Sequence, residues 1–120
     1  MKNLILLLLL LIPTDFFGQC NLMVGGHEQA SVTWNSTVTF GWTPPDNTTG
    51  LLYYRIRRAS AISGTYTVLV TVPSDKSEYV FVWKGGDYHY FVTAWYSVIE
   101  NGVSVVRESV GSNQIRVRTK

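Results

Sequence analysis

Apolar and polar residues alternate with a period of two along most of the chain. Val38, Phe40 and Trp42 alternate with Thr39 and Gly41, Tyr54 and Ile56 with Arg55 and Arg57, and Tyr79, Phe81 and Trp83 with Val80 and Val82. Tyr88, Tyr90, Val92 and Ala94 alternate with His89, Phe91, Thr93 and Trp95, and Ile115 and Val117 with Gln114, Arg116 and Arg118. Residues 67–72 are mostly β-branched and run into Pro73. Successive side chains of a strand point to opposite faces, so this pattern predicts half-buried strands. Turn formers separate them: Pro44-Pro45-Asp46-Asn47 with Gly50, Ser63-Gly64, Pro73-Ser74-Asp75, Gly85-Gly86-Asp87 and Asn101-Gly102. The reading is an all-β chain of about seven short strands, a seven-stranded antiparallel sandwich.

The first twenty residues follow a different rule. Lys2 is followed by nine consecutive apolar residues, Leu4–Ile12, and the run is broken by Pro13, Thr14 and Asp15. A membrane-spanning helix needs about 20 residues, whereas a secretory h-region needs about 7–15. Residues 1–20 therefore read as an export signal and residues 21–120 as one domain, expected to be secreted or extracytoplasmic, in the periplasm or at the cell surface. The short signal suits a bacterial or phage-encoded protein. Cys20 is a candidate lipidation residue, because a Cys just after an h-region resembles the acceptor of bacterial lipoproteins. The preceding Phe17-Gly18-Gln19 lacks the small residue that usually stands directly before that Cys, so cleavage near Gly18 or Gln19 is the favoured alternative.

Composition narrows the function. The 120 residues carry 46% hydrophobic side chains, and the net charge of +2 is too small for a nucleic-acid footprint. Removing residues 1–20 takes away Lys2 and Asp15 and leaves the charge unchanged. One Cys allows no internal disulfide.

Several segments resemble the fibronectin type III domain. Residues 38–45, VTFGWTPP, look like that family's second strand, with Trp42 as its core tryptophan. Residues 53–58, YYRIRR, look like its third. Residues 83–94, WKGGDYHYFVTA, resemble its Leu-x-Pro-Gly-x-x-Tyr-x-x-x-Val-x-Ala motif, with Trp83 in place of the Leu and one residue fewer before Tyr88. Residues 112–119 look like its last strand. The resemblance covers roughly residues 30–119. It implies an immunoglobulin-like sandwich of fibronectin type III topology, with Trp42, Tyr54, Ile56, Tyr88, Tyr90 and Val92 in the core. Tyr88 would be the corner tyrosine, its hydroxyl bonded to backbone upstream. The first strand is left between 28–34 and 22–24. The family folds without disulfides, which suits a lone Cys outside the sandwich.

Candidate chemistry is sparse. His27 and His89 lie far apart, short of the three or four ligands a zinc site needs. There is no Gly-x-Ser-x-Gly elbow and no phosphate-cradling glycine loop. No cofactor or metal and no enzymatic activity are expected. A glycan-active enzyme would require two close carboxylates, with Asp87 and Glu100 the residues to test.

Two surfaces remain as candidate binding sites. With Tyr90, Val92 and Ala94 inward, Phe91 and Trp95 face out, and in the resembled family the neighbouring strands would flank them with Arg55, Arg57, Arg116 and Arg118. Such residues either stack on one another or meet an acidic or aromatic-stacking partner. The second surface is the stretch 97–106, where Asn101-Gly102 signals a hairpin. Ile99, Asn101, Gly102 and Val103 would sit on its projecting tip. The expected role is a non-enzymatic binding or adhesion module for a protein or polysaccharide at a cell or particle surface. The alternative is a structural or decoration subunit of a bacterial envelope complex or a phage particle.

Overall fold

The alternating segments pair as strands in two facing sheets. The structure, a computed structural model, describes residues 19–61 and 64–120. Residues 1–18 of the expected signal lie outside the described residues, as does Ser63 of one expected turn. Nine strands follow in order: β1 (Asn21–Val24), β2 (Gln29–Val32), β3 (Thr37–Thr43), β4 (Leu51–Ala59), β5 (Thr67–Pro73), β6 (Glu78–Val82), β7 (Asp87–Glu100), β8 (Val103–Glu108) and β9 (Ile115–Thr119). The smaller sheet has the order β1-β3-β6. The larger has the order β2-β9-β7-β4-β5, with β8 also paired to β7.

The strand count differs from seven because the first and last strands are each interrupted. The chain leaves β1 through Gly25 and Gly26, both at positive φ (54° and 83°). That turn carries it from the smaller sheet to the larger one, where β2 runs parallel to β9. The sandwich is thus not wholly antiparallel, and both stretches considered for the first strand are strands. The last strand breaks at Ser109–Gln114. There Ser109 and Ser112 donate their backbone N–H groups to the Ala94 and Val92 carbonyls at 2.8 and 2.9 Å. Their hydroxyls accept the Ala94 and Val92 N–H groups at 2.9 Å each. Side-chain oxygens take the place of ladder carbonyls, so β7 stays paired while its partner bulges.

Strand β5 pairs with β4 in the larger sheet rather than with β6. This separates the fold from the constant-type immunoglobulin arrangement, in which the strand after the third joins the sheet of the first, second and fifth strands. The core lies between the sheets. Phe40 stands edge-on to Phe81 and Tyr90, with ring centroids at 5.1 and 4.8 Å. Trp42 meets Tyr54 edge-on at 5.3 Å. Each such aromatic pair contributes about 0.5–1.5 kcal/mol beyond its burial.

Tyr88 is half-buried at the core margin, between Trp83 and Tyr90. Among the described residues its hydroxyl makes no corner bond. The comparable bond runs from Tyr96, whose hydroxyl donates to the Asn47 carbonyl at 2.6 Å. Cys20 is inside the sandwich rather than outside it. It continues the alternation of Leu22 and Val24 and is as buried as they are.

Candidate functional site

The outer face of the larger sheet carries a ladder of aromatic and charged side chains. Tyr53 and Trp95 are cross-strand neighbours and stack at 6.0 Å. The Arg55 guanidinium lies over both rings, 4.6 Å from Trp95 and 5.2 Å from Tyr53. One step along, Glu108 accepts from Arg57 at 3.2 Å and from the Thr93 hydroxyl at 2.6 Å. Phe91 packs on the Tyr66 ring at 4.8 Å and lies over Gly111, where a Cβ would come within 3.0 Å of it. Arg57 is paired with Glu108, whereas Arg55 is held by its two rings, and its Nε and the Trp95 indole N–H make no hydrogen bond. Each exposed cation–π pair is worth about 0.5–1 kcal/mol.

Arg116 and Arg118 do not join this cluster. Strand β9 pairs with residues 87–90 of β7, which places both arginines beside His89 and Asp87 at the other end of the sheet. Arg116 grips Asp87 through two hydrogen bonds of 2.9 and 2.6 Å. Those bonds hold the Asp87 carboxyl below its usual range. Glu100 is likewise lowered, first by its hydrogen bonds from Arg107. Asp87 and Glu100 stand at opposite ends of β7, roughly 40 Å apart along an extended strand. They do not form the close pair that glycoside hydrolysis uses.

The hairpin reaches past the rest of the sheet. Pairing of β7 with β4 ends at Tyr96, and Val98–Glu100 pair with β8 alone. Asn101 and Gly102 both take positive φ (54° and 79°), the geometry of a two-residue hairpin turn. The Arg107–Glu100 ion pair ties the two strands below the tip. Ile99 is 68% exposed and shares the outer face with Trp95 and Val106. Val103, opposite Glu100, is exposed on the reverse face. The structure therefore brings Trp95, Arg55, Ile99 and Val106 onto one continuous surface, with Asn101 and Gly102 at its end. Tyr53 was absent from the sequence-based set, although its phase with Arg55 placed it on that face.

No family model and no curated protein sequence matches the chain. Among solved structures, the chain is similar to part of a β-1,2-glucanase from Parabacteroides distasonis, with a TM-score of 0.55 and 20% identity, over 85% of this chain and 12% of that one. It is also similar to a fibronectin type III domain of the human KIAA0970 protein, with a TM-score of 0.49 and 20% identity, over 75% of this chain and 69% of that one. A structure of titin domains gives a TM-score of 0.45 and 15% identity, over 75% of this chain and 30% of that one. The chain thus spans about an eighth of the glucanase's length. Likeness at these identities is one of fold alone, and the fold is an all-β sandwich of two sheets.

Burial sets the chemistry of Cys20. It raises the thiol pKa from 9.0 to about 11, and burial likewise raises the Tyr90 hydroxyl from 10.0 to about 12. Both groups are weaker acids folded than unfolded. Their contribution to stability is complete below the unfolded values and is lost as pH rises through the folded ones. The urea midpoint is therefore expected to fall between pH 9 and 12, and at pH 8 the folded protein should resist a thiol reagent that labels Cys20 at once in denaturant. Rapid labelling of the folded protein would place the thiol outside the core.

Proposed function

We propose that this chain is a non-enzymatic recognition module acting outside the cytoplasm. It binds a protein or polysaccharide through the outer surface that runs from Trp95 to the hairpin tip. The observation that carries this reading is the two-stranded end of the β7–β8 hairpin, which presents Ile99 and Val106 to solvent beyond the last contact with β4. Apolar side chains held on a pinned hairpin next to a Trp and an Arg have the composition of a binding hot spot. Export through residues 1–20 fits this role. Burial of the Cys20 thiol supports cleavage near Gly18 or Gln19 over lipid attachment, since a lipid-bearing sulfur cannot stay in the core.

A second reading, a structural or decoration subunit, rests on the same apolar tip, which would then pair copies of the chain. A photo-crosslinking residue at position 99, in cells that make the protein, is expected to trap one discrete partner that Trp95→Ala diminishes. The same residue at position 60, at the far end of β4, should trap none. Equal trapping at both positions would remove the hairpin as the site. Light scattering during size exclusion separates the two readings: a monomer at micromolar concentration supports the recognition module, and a concentration-dependent oligomer lost on Ile99→Asp supports the subunit. Intact mass and cell fractionation then decide between a cleaved soluble chain and a lipid-bearing one.

A further inference from the structure

On one flank the sandwich is open, because β5 and β6 are the free edges of their sheets. A cleft of about 200 Å3 lies between them, walled by Leu69, Phe81, Trp83, Tyr88 and Tyr90, with Arg58 among these apolar groups. Small-molecule sites usually measure about 300–1,000 Å3, so this space suits one side-chain-sized group.

Arg58 occupies an inward position. It is in phase with Tyr54 and Ile56, both buried, and faces Tyr90 across the β4–β7 ladder. Its guanidinium lies 4.4 Å from the Tyr88 ring centroid. The ion pairs among the described residues use Arg57, Arg107 and Arg116, and none uses Arg58. A half-buried cation without a carboxylate is poorly compensated, and an incoming anion would relieve it.

A second group points the same way. Tyr90 is fully buried, and its hydroxyl lies within reach of the Arg58 guanidinium but makes no hydrogen bond of good geometry. Buried hydroxyls are nearly always paired. Like any tyrosine hydroxyl it is protonated at neutral pH, and so is available as a donor beside a cation. Finally, β6 pairs with β3 alone. Its other edge offers unpaired backbone groups, and a strand added there would send alternate side chains inward, in step with Tyr79 and Phe81.

We propose that this flank binds an extended acidic segment of a partner polypeptide, which adds to β6 as a fourth strand and places one Asp or Glu carboxylate between the Arg58 guanidinium and the Tyr90 hydroxyl. The exposed ammonium of Lys84, held by the Asn35 side chain at 2.9 Å, adds positive charge at the mouth of the cleft. This surface is separate from the hairpin: Tyr90 and Tyr96 are six residues apart on β7, about 20 Å along the strand.

The test is an NMR titration of the full chain with acetyl-Thr-Val-Glu-Val-Thr-amide, its Gln counterpart and free butanoate. The Glu peptide is expected to shift the amides of residues 78–82 and to bind at least tenfold more tightly than the Gln peptide. Arg58→Gln should abolish that preference, and Arg58→Lys should retain part of it. Tyr90→Phe should weaken the Glu peptide several-fold while leaving Tm unchanged or higher, because it deletes an unpaired buried group. Equal affinity for both peptides, or no shifts at millimolar peptide, would overturn the proposal. Butanoate binding as tightly as the peptide without moving the β6 amides would overturn the added strand. Shifts at β6 that depend on protein concentration alone would assign the edge to a second copy of the chain, and that also overturns it.

Discussion

Replacing Trp42 with alanine is expected to cost about 3–5 kcal/mol of folding stability. Trp42 comes from the smaller sheet, is 5% exposed and meets the Tyr54 ring of the larger sheet edge-on. Its removal leaves a cavity across the interface of the two sheets, which the paired backbones on either side cannot collapse to fill. Urea denaturation, compared with the unaltered chain, measures the loss. A cost below about 1 kcal/mol would mean that the indole is not held in the core.

Gly50→Ala is expected to be nearly as damaging, at about 2–4 kcal/mol, from the left-handed backbone and the overpacking together. Gly50 has φ +79°, and a Cβ there would run into the Ser97 carbonyl oxygen. The Gly50 carbonyl accepts the Ser97 N–H at 2.9 Å, the last tie between β7 and the body of the sandwich before the hairpin. The substitution should therefore speed hydrogen exchange at Ser97 and along Val98–Glu100 more than elsewhere. A uniform change along β7 would mean that Gly50 supports the fold in general and not the seat of the hairpin.

The period-two pattern was enough to place the strands and to read the sandwich. It was not enough to find the two breaks. Gly25-Gly26 looks like any flexible lead-in, and only the pairing partners reveal that the chain changes sheets there. Ser109 and Ser112 look like ordinary strand-flanking residues, because the sequence does not show a hydroxyl standing in for a carbonyl. Cys20 was legible in principle. It is in phase with Leu22 and Val24, but the apolar run before it drew the residue into the signal.

For the surface, alternation put Phe91, Trp95, Arg55 and Arg57 on one face. It said nothing of position along the strands, so Arg116 and Arg118 were set beside Trp95 when the register carries them to the other end. Arg58 carried a usable signal, since strict alternation from Tyr54 and Ile56 turns it inward. What that inward arginine faces depends on the pairing with Tyr90, which follows from the relative offset of two distant segments.

The parallel pairing of β2 with β9 has a mechanical meaning. Strand β2 follows β1 early in the described chain and β9 is its last strand; the two run side by side in the same direction and match Gln29 with Arg116 through Val32 with Thr119. Tension drawn from Gln29 toward Thr119 pulls the two strands past each other along their length. The ladder bonds then share the load together instead of opening one at a time, as they would in a hairpin peeled from its end. Held between anchored points on β2 and β9, the sandwich would resist extension through that parallel pair while its hairpin and open flank stayed free of the strain.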